Sequence, residues 1–318
     1  MHAADVRSFD HPPRYEELDV PPAEGEHALA LDVVAAALHP RVRSMADGSH
    51  YESTGELPLI PGIDGVGRDA EGRLRYFVLP DTRFGSLAER VVVDPRRSAP
   101  LPDGVDPVAL AAVMNPALSS WIALRKRIDF VPGQSVLILG ATGNAGQMAV
   151  QIAKHLGAAH VVAAGRDAGR LAALTRLGAD ATVSLAGDPG AADAALGAAA
   201  ADVDVVIDYL WGPATERALP AVLTRRRDRG RPLTWIQIGS VAGLEIALPS
   251  AWLRAARLQL VGSGQGSVPT REIAAELPAL AAHITASDPI INAAPTPLRD
   301  VERAWTAPRT GQRVVFLP

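Results

Sequence analysis

The 318-residue chain has no cysteine. That absence excludes disulfides, thiolate metal sites and any cysteine nucleophile, and it agrees with a cytoplasmic location. A large net charge is also missing: 31 Lys and Arg against 35 Asp and Glu leave a formal −4. The overall balance therefore gives no electrostatic case for nucleic acid. The start, MHAADVRSFDHPPRYEELDV, lacks the apolar core of a signal peptide. No window reads as apolar over the length of a membrane span. The expected partner is a small molecule, with neither nucleic acid nor membrane. The densest basic run, Arg225-Arg226-Arg227-Asp228-Arg229, lies beside Gly230 and Pro232 and reads as a solvated loop. The alanine-rich residues 191–201 read as a surface helix.

What the chain does have is apolar material, 48% of all residues, enough for substantial cores in about two domains. The first hundred residues are β-rich and irregular, with strand candidates in HALALDVVAAAL and SLAERVVVD and a long loop-like region between them. Asp106 before Pro107 predicts a helix N-cap and first turn. From Ser135 onward, short apolar runs recur at 136–139, 160–164, 181–185, 203–207, 233–238 and 258–261, with helical spacing between several of them. Strands alternating with helices predict a parallel sheet covered on both faces, and six of them match a doubly wound dinucleotide fold. The tail returns to the mixed character of the start. The α/β chain thus reads as a β-rich domain, residues 1–115 and 268–318, interrupted by a dinucleotide-binding domain over residues 116–267.

The loop GATGNAG follows the first of the six runs. It lacks the strict G-x-G-x-x-G spacing, but Gly140, Gly143 and Gly146 stand three apart between a strand and a helix. Glycines there allow close backbone approach, and a helix N-terminus offers N–H groups to a pyrophosphate. Ala141, Thr142, Gly143, Asn144 and Ala145 are the candidate contacts. The next strand end lacks the carboxylate that would bind a ribose 2′-hydroxyl; it reads Gly165-Arg166. A guanidinium suits a 2′-phosphate instead, and Arg170 lies one helical turn on. The expected cofactor is therefore NADP(H), although Asp167 is close enough to meet a ribose.

Strand ends in an open α/β sheet face the ligand. This selects Asp208-Tyr209-Leu210-Trp211 after the fourth run, with Tyr209 and Trp211 as pocket walls, Gly239 with Ser240 after the fifth for the nicotinamide ribose, and Ser263-Gly264 after the sixth.

The order LPLIPGIDGVG, GSLAERVVV, GATGNAG, RLGADATV, VDVVIDYLWG and GQRVVFLP resembles the medium-chain dehydrogenase/reductase superfamily, in its zinc-free quinone oxidoreductase and enoyl reductase branch. The resemblance covers nearly the whole chain. It implies a GroES-like substrate domain with an inserted Rossmann domain, and a homodimer joined through the last Rossmann strand. Zinc-dependent relatives carry a cysteine where this chain reads Leu38-His39-Pro40, and Gly-His-Glu where it reads Gly62-Ile63-Asp64. No metal is expected, although His39, His50 and Asp64 are of metal-binding type. The implied chemistry is NADPH-dependent reduction of an α,β-unsaturated carbonyl compound or quinone. Tyr51 aligns with a tyrosine near the substrate, as proton donor or as an aromatic lid. His39 stands where relatives have asparagine and is the second candidate donor. Ser119 takes the place of a threonine beside the nicotinamide, Asn115 is a pocket candidate, and Arg313 resembles a late residue that reaches the cofactor. An enoyl-thioester reductase, or an NADP(H)-binding sensor or structural protein without turnover, are the alternatives.

Overall fold

A computed structural model describes all residues except 21–27, 80–81, 288–290 and 309–310. The first residue of the strand candidate HALALDVVAAAL, His27, lies outside the described residues. The chain divides into two compact units, Met1–Asn115 with Arg271–Pro318, and Pro116–Thr270.

The first unit begins with β1 (His2–Asp5), β2 (Arg14–Glu17) and β3 (Leu29–Ala37), followed by helix α1 (Pro40–Ala46). Then come β4 (Asp64–Arg68), β5 (Leu74–Val78), β6 (Arg90–Val93) and β7 (Ser98–Pro100), and helix α2 (Pro107–Ile122) runs across the division at Asn115. Strands β1 and β2 form their own antiparallel ribbon. The larger sheet runs β14-β15-β3-β4-β5-β7, with β6 also on β3; its last two members in sequence arise near the C-terminus. Leu31, Phe77, Leu87, Val91 and Phe316 pack into its core. The region between β3 and β4 is not all loop. Pro40 opens α1 at its first turn, and Val42, Met45 and Ala46 are buried on one face. One seven-residue helix with Pro at its start is too short for periodicity to reveal.

The second unit alternates β8 (Ser135–Leu139), α3 (Asn144–His155), β9 (His160–Gly165), α4 (Ala168–Leu174), β10 (Ala181–Ser184) and α5 (Pro189–Ala200). It continues with β11 (Val205–Asp208), α6 (Gly212–Arg225), β12 (Leu233–Gln237), α7 (Ser250–Ala255) and β13 (Leu258–Gly262). All six strands are parallel, in the order β10-β9-β8-β11-β12-β13. This is the doubly wound arrangement, with its topological switch between β8 and β11. Leu137, Val162, Val206 and Trp235 are fully buried in its core. The last helix α8 (Thr270–Ser287) leads back to β14 (Ala293–Pro297), α9 (Val301–Thr306) and β15 (Arg313–Leu317) in the first unit.

Three expectations need correction. Helix α5 is not simply a surface helix: Leu196 and Ala200 join the core, and Gly197 lies so close to Ala221 that a Cβ would strike its carbonyl oxygen. Arg226 is buried rather than solvated. Its guanidinium donates to the carbonyls of Ala201, Val203, Arg231 and Pro232 at 2.8–3.3 Å, which lowers the cost of burying the charge. Finally, residues Pro107–Arg127 form a 21-residue helical stretch that is long and apolar enough to cross a membrane by length and composition. Its window is 67% buried inside the protein, which accounts for the apolar sequence as core.

Candidate cofactor site and buried polar cluster

Strand β8 stops at Leu139, and the chain turns through Gly140 to Gly143, the N-cap of α3. The glycines are there for space. A Cβ on Gly146 would collide with the Gly140 carbonyl oxygen and the Ala141 backbone. A Cβ on Gly165, at the end of β9, would lie 2.5 Å from Thr142 Cγ2. Loop and helix are therefore packed backbone to backbone, and the neighbouring strand makes room for the Thr142 side chain. Ala141 is buried and its N–H bonds the Ala164 carbonyl at 2.9 Å, so it shapes the loop and has no N–H left for a ligand. The first-turn N–H groups of Asn144, Ala145 and Gly146 lie ahead of the first helical acceptor and point out of the helix end. Such an end attracts an anion.

The strand end beside it settles the role of the nearby carboxylate. Asp167 Oδ1 accepts from the Arg170 backbone N–H at 3.0 Å and caps α4. Its other oxygen lies 3.6 Å from Arg170 Nε, and Arg170 Nη1 donates to the Thr142 carbonyl at 3.2 Å. Asp167 thus caps α4, and Arg170 ties that helix to the glycine loop. Arg166 is exposed and has no ion-pair or hydrogen-bond partner among the described residues.

Across the switch point, β11 ends in Asp208, which is fully buried. One carboxylate oxygen accepts the N–H groups of Leu210 and Trp211 at 2.8 and 3.1 Å. The other accepts from Thr215 Oγ1 at 2.5 Å and Trp235 Nε1 at 3.0 Å. These four bonds shape the turn that carries Tyr209 and Trp211. Tyr209 is buried, and burial raises its phenol to about 12, opposed by the hydroxyls of Ser119 and Ser120. Ser119 Oγ donates to the Pro116 carbonyl at 2.7 Å and lies 2.8 Å from the Tyr209 hydroxyl, which then donates to Ser119. Trp211 has φ 55° and ψ −163°, a strained conformation costing about 1–3 kcal/mol. Gly239 follows β12 and touches the Tyr209 backbone, where a Cβ would sit 2.8 Å from the carbonyl oxygen; Ser240 follows it, half-buried.

The first unit holds a different arrangement. His39 and Asp64, 25 residues apart in sequence, are both buried, with Nε2 and Oδ1 3.0 Å apart. Tyr76 donates its hydroxyl to Asp64 Oδ2 at 2.8 Å. Burial pushes the Tyr76 phenol well above 10, reinforced by the Asp64 charge. Burial also lowers His39, although Asp64 opposes this; the charges of Arg313 and Arg41 add to the lowering. Neutral His39 must place its one proton on Nε2, because a carboxylate only accepts. Its Nδ1 is then an acceptor, which removes neutral His39 as the proton donor foreseen from sequence. Arg313 is also reassigned. It is 5% exposed, donates to the Leu38 carbonyl at 3.3 Å, and falls to about 10 through burial, opposed by the Asp64 charge. It therefore belongs to this cluster in the first unit, where its guanidinium helps balance Asp64, and is not a free arm for a cofactor.

Tyr51 lies outside the cluster. It is 73% exposed and its ring stacks on His50, 4.4 Å between centroids. Asn115 is half-buried on α2. His50 does not join His39 and Asp64, and no group of three His, Cys, Asp or Glu able to hold a metal occurs among the described residues. Sequence reasoning missed Tyr76, and it placed Asp208 at a ligand-facing strand end without foreseeing its role as the buried acceptor of the turn. The aspartate ending the apolar run VVID was the signal that selected Asp208; nothing local marks Tyr76.

Residues 145–281 match the zinc-binding dehydrogenase family. The probable NADPH-dependent quinone reductase tdiC of Emericella nidulans is 32% identical, with 100% of each chain covered. The chain belongs to the medium-chain dehydrogenase/reductase superfamily, in its quinone oxidoreductase branch. The superfamily likeness extends to the chloroplastic NADPH-dependent alkenal/one oxidoreductase of Arabidopsis thaliana, 32% identical over 51% of this chain and 46% of that one. Among solved structures, the quinone oxidoreductase of Thermus thermophilus, also determined with NADPH, is 26% identical with a TM-score of 0.83 and 100% of both chains covered. The superfamily fold thus accounts for the two units described above. The zinc in the matched family's description finds no cysteine here, and Ile63 stands in the Gly62-Ile63-Asp64 segment.

Proposed function

We propose that the chain is an NADPH-dependent reductase of quinones or α,β-unsaturated carbonyl compounds that works without zinc. The observation that carries the cofactor choice is the end of β9: Arg166 is exposed and without a partner among the described residues, while the Asp167 carboxylate caps α4. The names of the relatives support the same cofactor and the same substrate classes. The residues fit the cofactor: Thr142, Gly143, Asn144 and Ala145 at the pyrophosphate, Gly165, Arg166 and Arg170 at the 2′-phosphate, Gly239 and Ser240 at the ribose, and Ser119 at the nicotinamide. When bound, the reduced nicotinamide supplies a hydride to an electrophilic carbon.

The chain's own part is to bind, orient and protonate. Ser119 spends its proton on Pro116, so it offers a lone pair to the N–H of a carboxamide. Tyr51 is the proton donor in this reading, because the residue is exposed whereas His39 is buried and held neutral. Tyr209 and Trp211, in the second unit, shape the acceptor's surroundings, and Asn115 on α2 is a separate pocket candidate. A homodimer through β13 is part of the same reading: this strand ends the sheet, so one side of its backbone is unpaired within the sheet. Light scattering giving a monomer at working concentration would remove the dimer.

The test of the function is NADPH and NADH oxidation with 1,4-naphthoquinone, a cyclic enone and an unsaturated aldehyde as acceptors. The expected result is turnover on at least one, with NADPH preferred about tenfold or more. Tight NADPH binding without oxidation by any acceptor would leave a binding protein in place of the reductase.

A further inference from the structure

Among the described residues, Trp211 is the single non-glycine residue with a positive φ. Its ψ of −163° places it in a region used almost only by glycine. A tryptophan thus stands where the backbone favours no side chain at all. Its position is well defined. It lies three residues beyond Asp208, the last residue of β11, at the switch point where open α/β sheets take their ligands. The turn is pinned from both sides. Leu210 packs against Gly140, and the Ala242 N–H donates to the Leu210 carbonyl at 2.8 Å. Gly212 lies against Gly243, where a Cβ would come within 2.7 Å of Gly243 Cα. Beneath it, the buried Asp208 carboxylate takes the Leu210 and Trp211 N–H groups. Relaxing the backbone of Trp211 would strip that carboxylate of a donor, so the turn is over-determined. A strained residue held this firmly, at a ligand-binding edge, calls for a use of its side chain that glycine lacks.

We propose that Trp211 is a specificity-determining residue: its half-buried indole is a flat wall for a planar conjugated acceptor, such as a quinone or aryl enone, and Asp208 is the positioning residue that holds it. This rests on the reductase reading, but its test needs no turnover. The probe is 1,4-naphthoquinone, titrated calorimetrically into the full chain loaded with NADP+, which cannot reduce it; with no cysteine, the chain offers no thiol for the quinone to alkylate. Trp211→Phe keeps an aromatic face and should bind within about threefold of the original. Trp211→Ala and Trp211→Gly should each weaken naphthoquinone by about tenfold or more, the size of one lost aromatic contact, and leave NADP+ affinity unchanged. Both lose the ring, but only alanine keeps the strain, so the glycine variant should melt at the higher temperature. Naphthoquinone binding that is unchanged in Trp211→Gly, or absent in the original chain, overturns the proposal. So does a loss confined to NADP+, or an alanine variant that melts above the glycine variant. If no acceptor supports NADPH oxidation yet indole-dependent binding persists, the reductase reading fails and Trp211 stands only as the wall of a site for planar ligands.

Discussion

The candidate cofactor edge of the second unit and the polar cluster of the first use their charge differently. In the second, the ligand edge is built from backbone: glycines that admit close approach, an open helix N-terminus, and an exposed Arg166. In the first, the charged and polar groups are turned inward, where Asp64 serves His39 and Tyr76 and lies near Arg313. The open edge has charge available for a ligand. The closed cluster has spent its charge on the fold, and leaves Tyr51 as the exposed group expected to do chemistry. The comparison therefore separates residues whose loss should cost stability from those whose loss should cost function.

The largest expected effect tests the closed side. Asp64→Ala leaves His39, Tyr76 and the nearby Arg313 buried without their acceptor and counter-charge, which should cost about 3–5 kcal/mol in chemical denaturation. Asp64→Asn keeps an acceptor for Tyr76 and should cost less. A loss under about 1 kcal/mol in both would show that the cluster does not hold the first unit together.

Tyr51 tests the exposed side of the same unit. Tyr51→Phe keeps the ring and removes the hydroxyl. Turnover on the best acceptor should fall about ten- to a thousandfold, with a much smaller effect on the melting temperature. Near-normal turnover would make Tyr51 a lid and leave the unit without a named proton donor.

Arg166 tests the open edge. Arg166→Ala removes charge-assisted contacts of about 1.5–3 kcal/mol, so the dissociation constant for NADPH should rise roughly ten- to a hundredfold while that for NADH moves little. Stability should be unaffected because the side chain is exposed. Equal losses for both cofactors would detach Arg166 from the 2′-phosphate.

The same contrast explains what was legible in the sequence. The edge of the second unit is local: VLIL, GATGNAG and VVAAGR lie within about thirty residues and each carries its own period or glycine spacing. The six parallel strands were readable for that reason, down to their order along the chain. The buried cluster has no such locality. Arg313 reaches the Leu38 carbonyl across 275 positions, and Tyr76 meets Asp64 across 12, with no repeat to announce either. Arg226 misled because a run of like charge reads as solvated, whereas four carbonyls gathered from separate segments surround it. The strain at Trp211 was hidden too. Its letter marks a bulky side chain, and only the fold shows which backbone conformation it must adopt.

The smallest expected effect is also the sharpest test of the closed cluster, because it reads a single proton. His39 is held below its ordinary value of 6.5, first by burial and then by the charges of Arg313 and Arg41, with the Asp64 hydrogen bond and charge opposing. Above that ordinary value, folded and unfolded chains both carry neutral His39, and its burial costs nothing in charge. As the pH falls through it, the unfolded chain takes up a proton that the folded chain resists. The unfolded state then binds more protons, so stability drops with falling pH until the lowered folded value is passed. The slope approaches about 1.4 kcal/mol per pH unit for one proton. His39→Gln retains a donor for Asp64 and cannot titrate, so it isolates this contribution from the other histidines. Denaturation midpoints of the two chains should diverge as the pH falls below about 6.5, with the original losing stability faster. Parallel curves would mean that Asp64 stabilises the imidazolium as strongly as burial opposes it. His39 would then regain a proton on Nδ1 at acidic pH, and with it the place as proton donor that the closed cluster takes away.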